Sequence, residues 1–335
     1  MPPDQLDEAR LVETARRALE AWPLDVVELA LISHTENVVF RATTADGRQY
    51  VVRIHRPGYS SLAALNSERE WTAALRNAGI HAPAGVPTIH GEHYATVALP
   101  DSSTAHVGVL DWVEGELLAD VIERDTTGRQ VPGHFEELGR LAARIHNQAS
   151  AWQLPAGFIR RSWDEDGLMG EDPLWGRFWE LPGLTGPQQD LLVRTRDRLY
   201  EILRALPKDP SAYSLIHSDL HPQNVVVSRD GLSVIDFDDS GFGWHVYELA
   251  VALFRTQGRG HFEAAESALI AGYRHQRPFA EARRWLLPTF VLVRGLAVLG
   301  WANARPELGL ASRMLSFRER VLGQAEDFLR DRLRI

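Results

Sequence analysis

The sequence predicts an α+β fold in two lobes, a small antiparallel β-sheet lobe with one helix and a larger, mostly helical lobe. Three observations carry this. β-branched runs dominate up to about residue 113, helical spacing of apolar residues dominates after Glu114-Gly115, and one strand-turn-strand unit interrupts the helices near residue 230. In the first part, residues 7–22 carry Leu11, Val12, Ala15 and Leu19 at helical spacing. Strands follow at 24–32, 37–44 and 49–55, and Asp46-Gly47 marks the hairpin turn between the last two. A helix over 61–78, stopped by Gly79, precedes two further strands at 94–99 and 106–112. This first lobe is expected to span 1–113 and the second 114–335.

In the second part, helices are expected at 116–124, 134–150, 186–206, 244–257, 262–276, 280–303 and 311–332. Short strands are expected at 225–227 and 233–235. Residues 151–186 are rich in Gly and Pro and contain four tryptophans, so they read as an ordered, irregular insertion. The apolar stretch 286–301 is interrupted by Pro288 and Arg294 and is too short for a membrane span, so it reads as a buried helix.

Composition excludes several classes. The chain has 335 residues, net charge −9 and no run of basic residues, which argues against a nucleic-acid or anionic-membrane partner. It has no cysteine, so disulfides, thiolate metal sites and cysteine nucleophiles are excluded. The acidic, polar start is unlike a signal peptide, and a cytoplasmic location is the expectation. Lys208 is the only lysine.

The chemistry concentrates between residues 215 and 239, "LIHSDLHPQNVVVSRDGLSVIDFDD". A hairpin turning at Asp230-Gly231 brings its two ends together, so Asn224 before the first strand and Asp236 after the second are expected side by side. An amide oxygen and a carboxylate in that relation suit a hard divalent cation such as Mg²⁺, which completes its shell with phosphates and water. Asp219, on the loop entering the same corner, is placed to accept a proton from a hydroxyl. A base, two metal ligands and little covalent chemistry are what phosphoryl transfer requires.

"HSDLHPQN" followed by "VIDFDD" resembles the catalytic and metal-binding loops of the aminoglycoside phosphotransferase and choline kinase-like family, relatives of the protein kinases. "ENVVFRATTADGRQYVVRIHRPGY", "LDWVEGELL", "LGRLAARIHN" and "GFGWHVYELAVAL" resemble further segments, over roughly residues 25–260. The resemblance implies a bilobal protein kinase-like fold and an enzyme that moves the γ-phosphate of ATP, with Mg²⁺, to the hydroxyl of a small acceptor. A protein Ser/Thr kinase or a nucleotide-binding pseudokinase of the same fold is the alternative.

It also implies roles for residues. Asp219 is the base, Asn224 and Asp236 hold Mg²⁺, and His217 braces the loop. Arg53 stands over the phosphates where kinases usually carry lysine, with Glu68 or Glu70 as its partner. Asp111, Trp112 and Val113 receive the adenine through backbone groups. Ser33 and Thr35 contact phosphate from a turn without glycine. Glu248 orders the catalytic loop where relatives usually show aspartate. Asp238 and Asp239 either reach a second Mg²⁺ or an acceptor amine, or face solvent. His221 reads as a loop histidine. Arg294, alone in an apolar helix, needs either a structural carboxylate or an acceptor anion, because a buried unpaired guanidinium is costly. The acidic run 163–172 lies in the insertion where acceptors are expected to dock.

Overall fold

The computed structural model describes residues 3–35, 37–99, 103–309 and 314–331. The chain divides into two compact units, Met1–Glu114 with Leu154–Ile159, and Gly115–Gln153 with Arg160–Ile335.

The first unit runs α1 (Pro3–Leu19), β1 (Val26–His34), β2 (Val38–Thr44), β3 (Gln49–Ile54), α2 (Leu62–Asn77), β4 (Tyr94–Ala98) and β5 (Thr104–Asp111). The strands form one antiparallel sheet in the order β1-β2-β3-β5-β4. Period-two alternation decides which side chains are buried. Val38, Phe40 and Ala42 of β2 share a core with Val52 and Ile54 of β3 and Val107 and Val109 of β5. Ala15, Ala18 and Leu19 of α1, with Trp22 just beyond it, complete that core. Arg53 lies between Val52 and Ile54, so its side chain leaves the sheet on the opposite face. Ser61 caps α2 by accepting from the Ala64 N–H at 3.2 Å. Leu154–Ile159 of the insertion belong to this unit, where the Ile159 N–H donates to Ser67 Oγ at 3.0 Å.

The second unit continues with β6 (Glu116–Leu117), α3 (Leu118–Arg124), α4 (Val131–Ala151), β7 (Ser162–Trp163), α5 (Glu165–Met169), α6 (Gly186–Arg204) and β8 (Tyr213–Ile216). Then come β9 (Val225–Ser228), β10 (Gly231–Val234), β11 (Gly241–Trp244), α7 (His245–Phe254), α8 (Phe262–Arg274), α9 (Glu281–Arg284), α10 (Leu286–Asn303) and α11 (Leu315–Leu329). Helices α4 and α8 cross backbone to backbone. A Cβ on Gly139 would lie 2.1 Å from the Leu269 carbonyl oxygen, and one on Gly272 1.9 Å from that of Glu136. Glycine is therefore required at both positions.

Helix α10 is long and apolar enough to cross a membrane, yet it is mostly buried inside this unit and reads as a core helix. Pro288 sits in its first turn. Proline offers no N–H to the carbonyl four residues back, so the helix expected over 280–303 divides into α9 and α10. Of the helix expected at 311–332, residues 311–313 and 332 lie outside the described residues.

Four strands among the described residues escaped the sequence reading, β6, β7, β8 and β11. β11 pairs antiparallel with β8 and parallel with β7, where the chain was expected to pass from Gly241 almost directly into a helix. β11 contains Gly241 and Gly243, and glycine is depleted in strands. Here it allows close approach: a Cβ on Gly241 would lie 2.4 Å from the Arg161 carbonyl oxygen.

Candidate active site

The site in the second unit is built where β8 ends. The chain leaves Ile216 through His217 and Ser218, and Ser218 takes φ +63°. A left-handed backbone is costly for a residue other than glycine. Glu248, buried on α7, opposes that cost by accepting the N–H groups of His217 at 2.8 Å and Ser218 at 2.7 Å. Ser218 Oγ donates to the Asp239 carbonyl at 2.5 Å. His217 Nδ1 accepts the Asp219 N–H at 3.3 Å, so its proton sits on Nε2 and is donated to the Ile235 carbonyl at 3.0 Å. His217 thus ties the catalytic loop to the strand that delivers Asp236.

The Asp219 carboxylate has three partners. Arg294 of α10 donates to Oδ1. Asn224 Nδ2 donates to Oδ2 at 2.8 Å, and His221 Nε2 lies 3.3 Å from the same oxygen. Burial alone would raise the carboxyl pKa. The charges of His221 and Arg294 outweigh it and hold the group far below the usual carboxylate range. Asp219 is therefore ionised at neutral pH and takes up a proton reluctantly.

The metal corner has the expected topology. β9 and β10 form a hairpin with Val225 opposite Val234, and the Ile235 N–H continues the ladder to the Asn224 carbonyl at 3.0 Å. Asp236 is the next residue, at φ +64°. Asn224 Nδ2 also donates to the Asp219 carbonyl at 3.0 Å. With both amide protons turned to Asp219, Asn224 Oδ1 makes no hydrogen bond among the described residues. That oxygen and the Asp236 carboxylate are a hard donor pair that fits Mg²⁺. No group of three or more His, Cys, Asp or Glu able to hold a metal occurs among the described residues. A cation here would need further oxygens from a nucleotide and from water.

Several other acidic residues make structural contacts. Asp239 was expected to meet acceptor, a second metal or solvent. It is buried instead, accepting from Arg161 at 3.1 Å and from the Trp175 indole N–H at 3.3 Å. Asp238 is likewise buried, and Arg160 donates to its carbonyl at 2.7 Å and to that of Phe237 at 3.0 Å. In the insertion, Asp164 caps α5 and, with Glu165, pairs with Lys208, while Asp166 accepts from the Tyr200 hydroxyl. Arg294 resolves its two options in favour of a carboxylate, and that carboxylate is Asp219 itself. Trp175 covers the guanidinium, whose carbon lies 4.4 Å from the ring centroid. Trp175, Arg160 and Arg161 had no sequence signal beyond the richness of the insertion in tryptophan and the adjacency of the two arginines.

In the first unit, Arg53 and Glu68 are both buried. Glu68 shares the inward face of α2 with Leu65, Trp71, Thr72 and Leu75, whereas Glu70 is half-buried. Ser33 is the penultimate residue of β1, and Thr35 is exposed just beyond the strand. The expectation of unpaired backbone groups over 111–113 narrows. The Asp111 N–H is donated to Ala84 and the Trp112 N–H to Gln49, so Val113 alone keeps a backbone N–H without a partner among the described residues.

Glu248 yields a pH prediction. Burial, opposed by the electrostatics of the neighbouring His217 and by the two N–H bonds, pushes its carboxyl up to about 7. Its folded value exceeds its unfolded one, so this group favours folding below about pH 4.5, and that contribution is lost as pH rises through about 7, up to about 3 kcal/mol. In urea titrations, the stability of the wild type relative to Glu248→Gln is expected to fall between pH 5 and 7.5. A pH-independent difference would contradict this.

A loop held by Glu248, a corner where Asn224 meets Asp219 ahead of Asp236, and an antiparallel sheet unit are the parts expected of the kinase-like phosphotransferase class. Residues 28–286 match the phosphotransferase enzyme family APH, and the chain belongs to that family. It is similar to a microcompartment-associated aminopropanol kinase, at 30% identity and TM-score 0.83 over 96% of this chain and 99% of that one. Amicoumacin kinase of Bacillus subtilis (strain 168) is 23% identical over 284 residues, 82% of this chain and 79% of that one. The amicoumacin kinase hAmiN, solved with AMP-PNP, Ca²⁺ and Ami, aligns at 20% identity and TM-score 0.75, over 95% of this chain and 93% of that one. The chain is an ATP-dependent small-molecule kinase of this family.

Proposed function

We propose that the protein transfers the γ-phosphate of ATP to a hydroxyl of a small acceptor, with Asp219 as the base and Asn224 and Asp236 as the Mg²⁺ ligands. The observation that carries this is the direct bond from Asn224 Nδ2 to Asp219 Oδ2, with Asp236 following the strand hydrogen-bonded to Asn224. Bound Mg²⁺ would neutralise phosphate charge and hold the triphosphate oxygens. The chain supplies the rest. Asp219 accepts a hydrogen bond from the acceptor hydroxyl and orients it. The acceptor oxygen bonds to the γ-phosphorus as the bond to the β–γ bridging oxygen breaks, and ADP leaves with that electron pair. The hydroxyl proton passes to Asp219 late, as its depressed pKa requires. In this reading Arg53 binds phosphate with its guanidinium, oriented by Glu68, whose burial favours it over Glu70. Val113 offers the backbone contact for adenine.

The test is a coupled ADP-release assay with Mg²⁺ against amino alcohols, homoserine, sugars, aminoglycosides and a generic protein substrate. Acceptor-dependent turnover with a small molecule supports the reading. Turnover with the protein substrate alone, or Mg-ATP binding without transfer to any acceptor, would oppose it.

A further inference from the structure

We propose that the acceptor carries an anionic group, a carboxylate or a phosphate, and that Arg255 and Arg259 bind it in a cavity of the second unit next to the catalytic loop. This rests on the phosphotransferase reading above and adds the chemical class of the substrate. The cavity encloses about 360 Å³, at the low end for small-molecule sites, which suits a small metabolite better than a large antibiotic. Gln223 of the catalytic loop lines it, as does Arg294, the partner of Asp219. The cavity lining thus reaches the base through Arg294.

The charge of the lining is the second observation. Arg255, Arg259, Arg294 and Arg320 face this cavity, against one acidic residue, Glu123. The chain as a whole is acidic, with net charge −9, so a basic concavity does not follow from composition. Arg294 is neutralised by Asp219. Among the described residues, the guanidinium groups of Arg255 and Arg259 have no hydrogen bond or ion pair, and that of Arg320 has only a cation–π contact with Phe317 at 5.2 Å. Elsewhere the arginines of this unit commonly find carboxylates, as Arg124, Arg140, Arg161, Arg274 and Arg284 do.

Arg255 is also within electrostatic reach of the reacting centre. Burial lowers its pKa, Asp219 opposes that shift and Arg294 adds to it. Guanidinium groups that outnumber the carboxylates around one small cavity repel one another. An acceptor with a carboxylate or phosphate at its far end relieves that repulsion and gains charge-assisted, bidentate hydrogen bonds.

The experiment compares acceptors that differ only in the anion. Homoserine is set against 3-aminopropan-1-ol, which is homoserine without its carboxylate. Glycerol 3-phosphate is set against glycerol, and 4-hydroxybutyrate shows whether a carboxylate suffices without an amine. The anionic member of at least one pair is expected to give the higher kcat/KM, and which pair responds separates carboxylate from phosphate. Arg255→Gln and Arg259→Gln are expected to raise KM for that acceptor about 10- to 100-fold with kcat little changed, and Arg255→Lys to recover part of the loss. Turnover of the neutral or cationic members alone would overturn the anion assignment and leave the kinase reading intact. So would variants that raise KM for ATP and not for the acceptor. No acceptor-dependent turnover in any arm would contradict the kinase reading, and this proposal with it.

Discussion

Asp219→Asn is expected to lower acceptor-dependent turnover by about 10³-fold, the usual contribution of a general base, while Mg-ATP affinity changes little. The asparagine oxygen can still accept the Asn224 amide proton, so the corner keeps its shape. What is lost is the negative charge that orients the acceptor hydroxyl and receives its proton. Turnover with ADP release isolates this effect, and equilibrium binding of a nucleotide analogue serves as the control. Turnover within a few-fold of wild type would remove Asp219 from the chemistry.

The second large effect concerns the pair that Asp219 makes with Arg294. Arg294 is buried, and Trp175 covers its face. Burial would lower its pKa, and Asp219 together with Tyr247 more than restores it. Arg294→Met is expected to destabilise the fold by about 3 kcal/mol, because it leaves Asp219 with only one of its two counter-charges. It should also move the acid limb of the activity profile toward neutral pH, because Arg294 is one of the two charges that hold Asp219 low. Asp219→Asn alone should be destabilising too, since it strands a buried guanidinium. The double variant Asp219→Asn with Arg294→Met is then expected to be more stable than the sum of the two single losses predicts. Urea unfolding of the three variants measures this, and strict additivity would mean that the pair is not coupled.

Those two residues show where the sequence was informative and where it was not. His217, Asp219, Asn224 and Asp236 lie within twenty residues, and a hairpin with a recognisable Asp-Gly turn joins them. Local rules therefore brought the corner together. The first sheet was legible for a similar reason, because alternation in β2 reflects one buried face. Arg294 stands 75 residues from Asp219. Its need for a carboxylate was visible in an apolar helix, but no local pattern names a partner at that separation. Trp175 and Arg161, which hold Asp239, come from an irregular insertion that has no period to read. β8 and β11 are four residues each, and the glycines that let β11 pack closely also hide it. Glu68 was decipherable in principle, since it shares a helical face with Leu65, Thr72 and Leu75 and Glu70 does not.

The most direct test of the central claim follows the γ-phosphate itself. ³¹P NMR of the wild type with ATP, Mg²⁺ and a responding acceptor should show a phosphate monoester of that acceptor growing in step with ADP. With Asp219→Asn, neither signal should grow at a comparable rate. ADP accompanied only by inorganic phosphate, or a monoester that forms equally well in the variant, would contradict a kinase that uses Asp219 as its base.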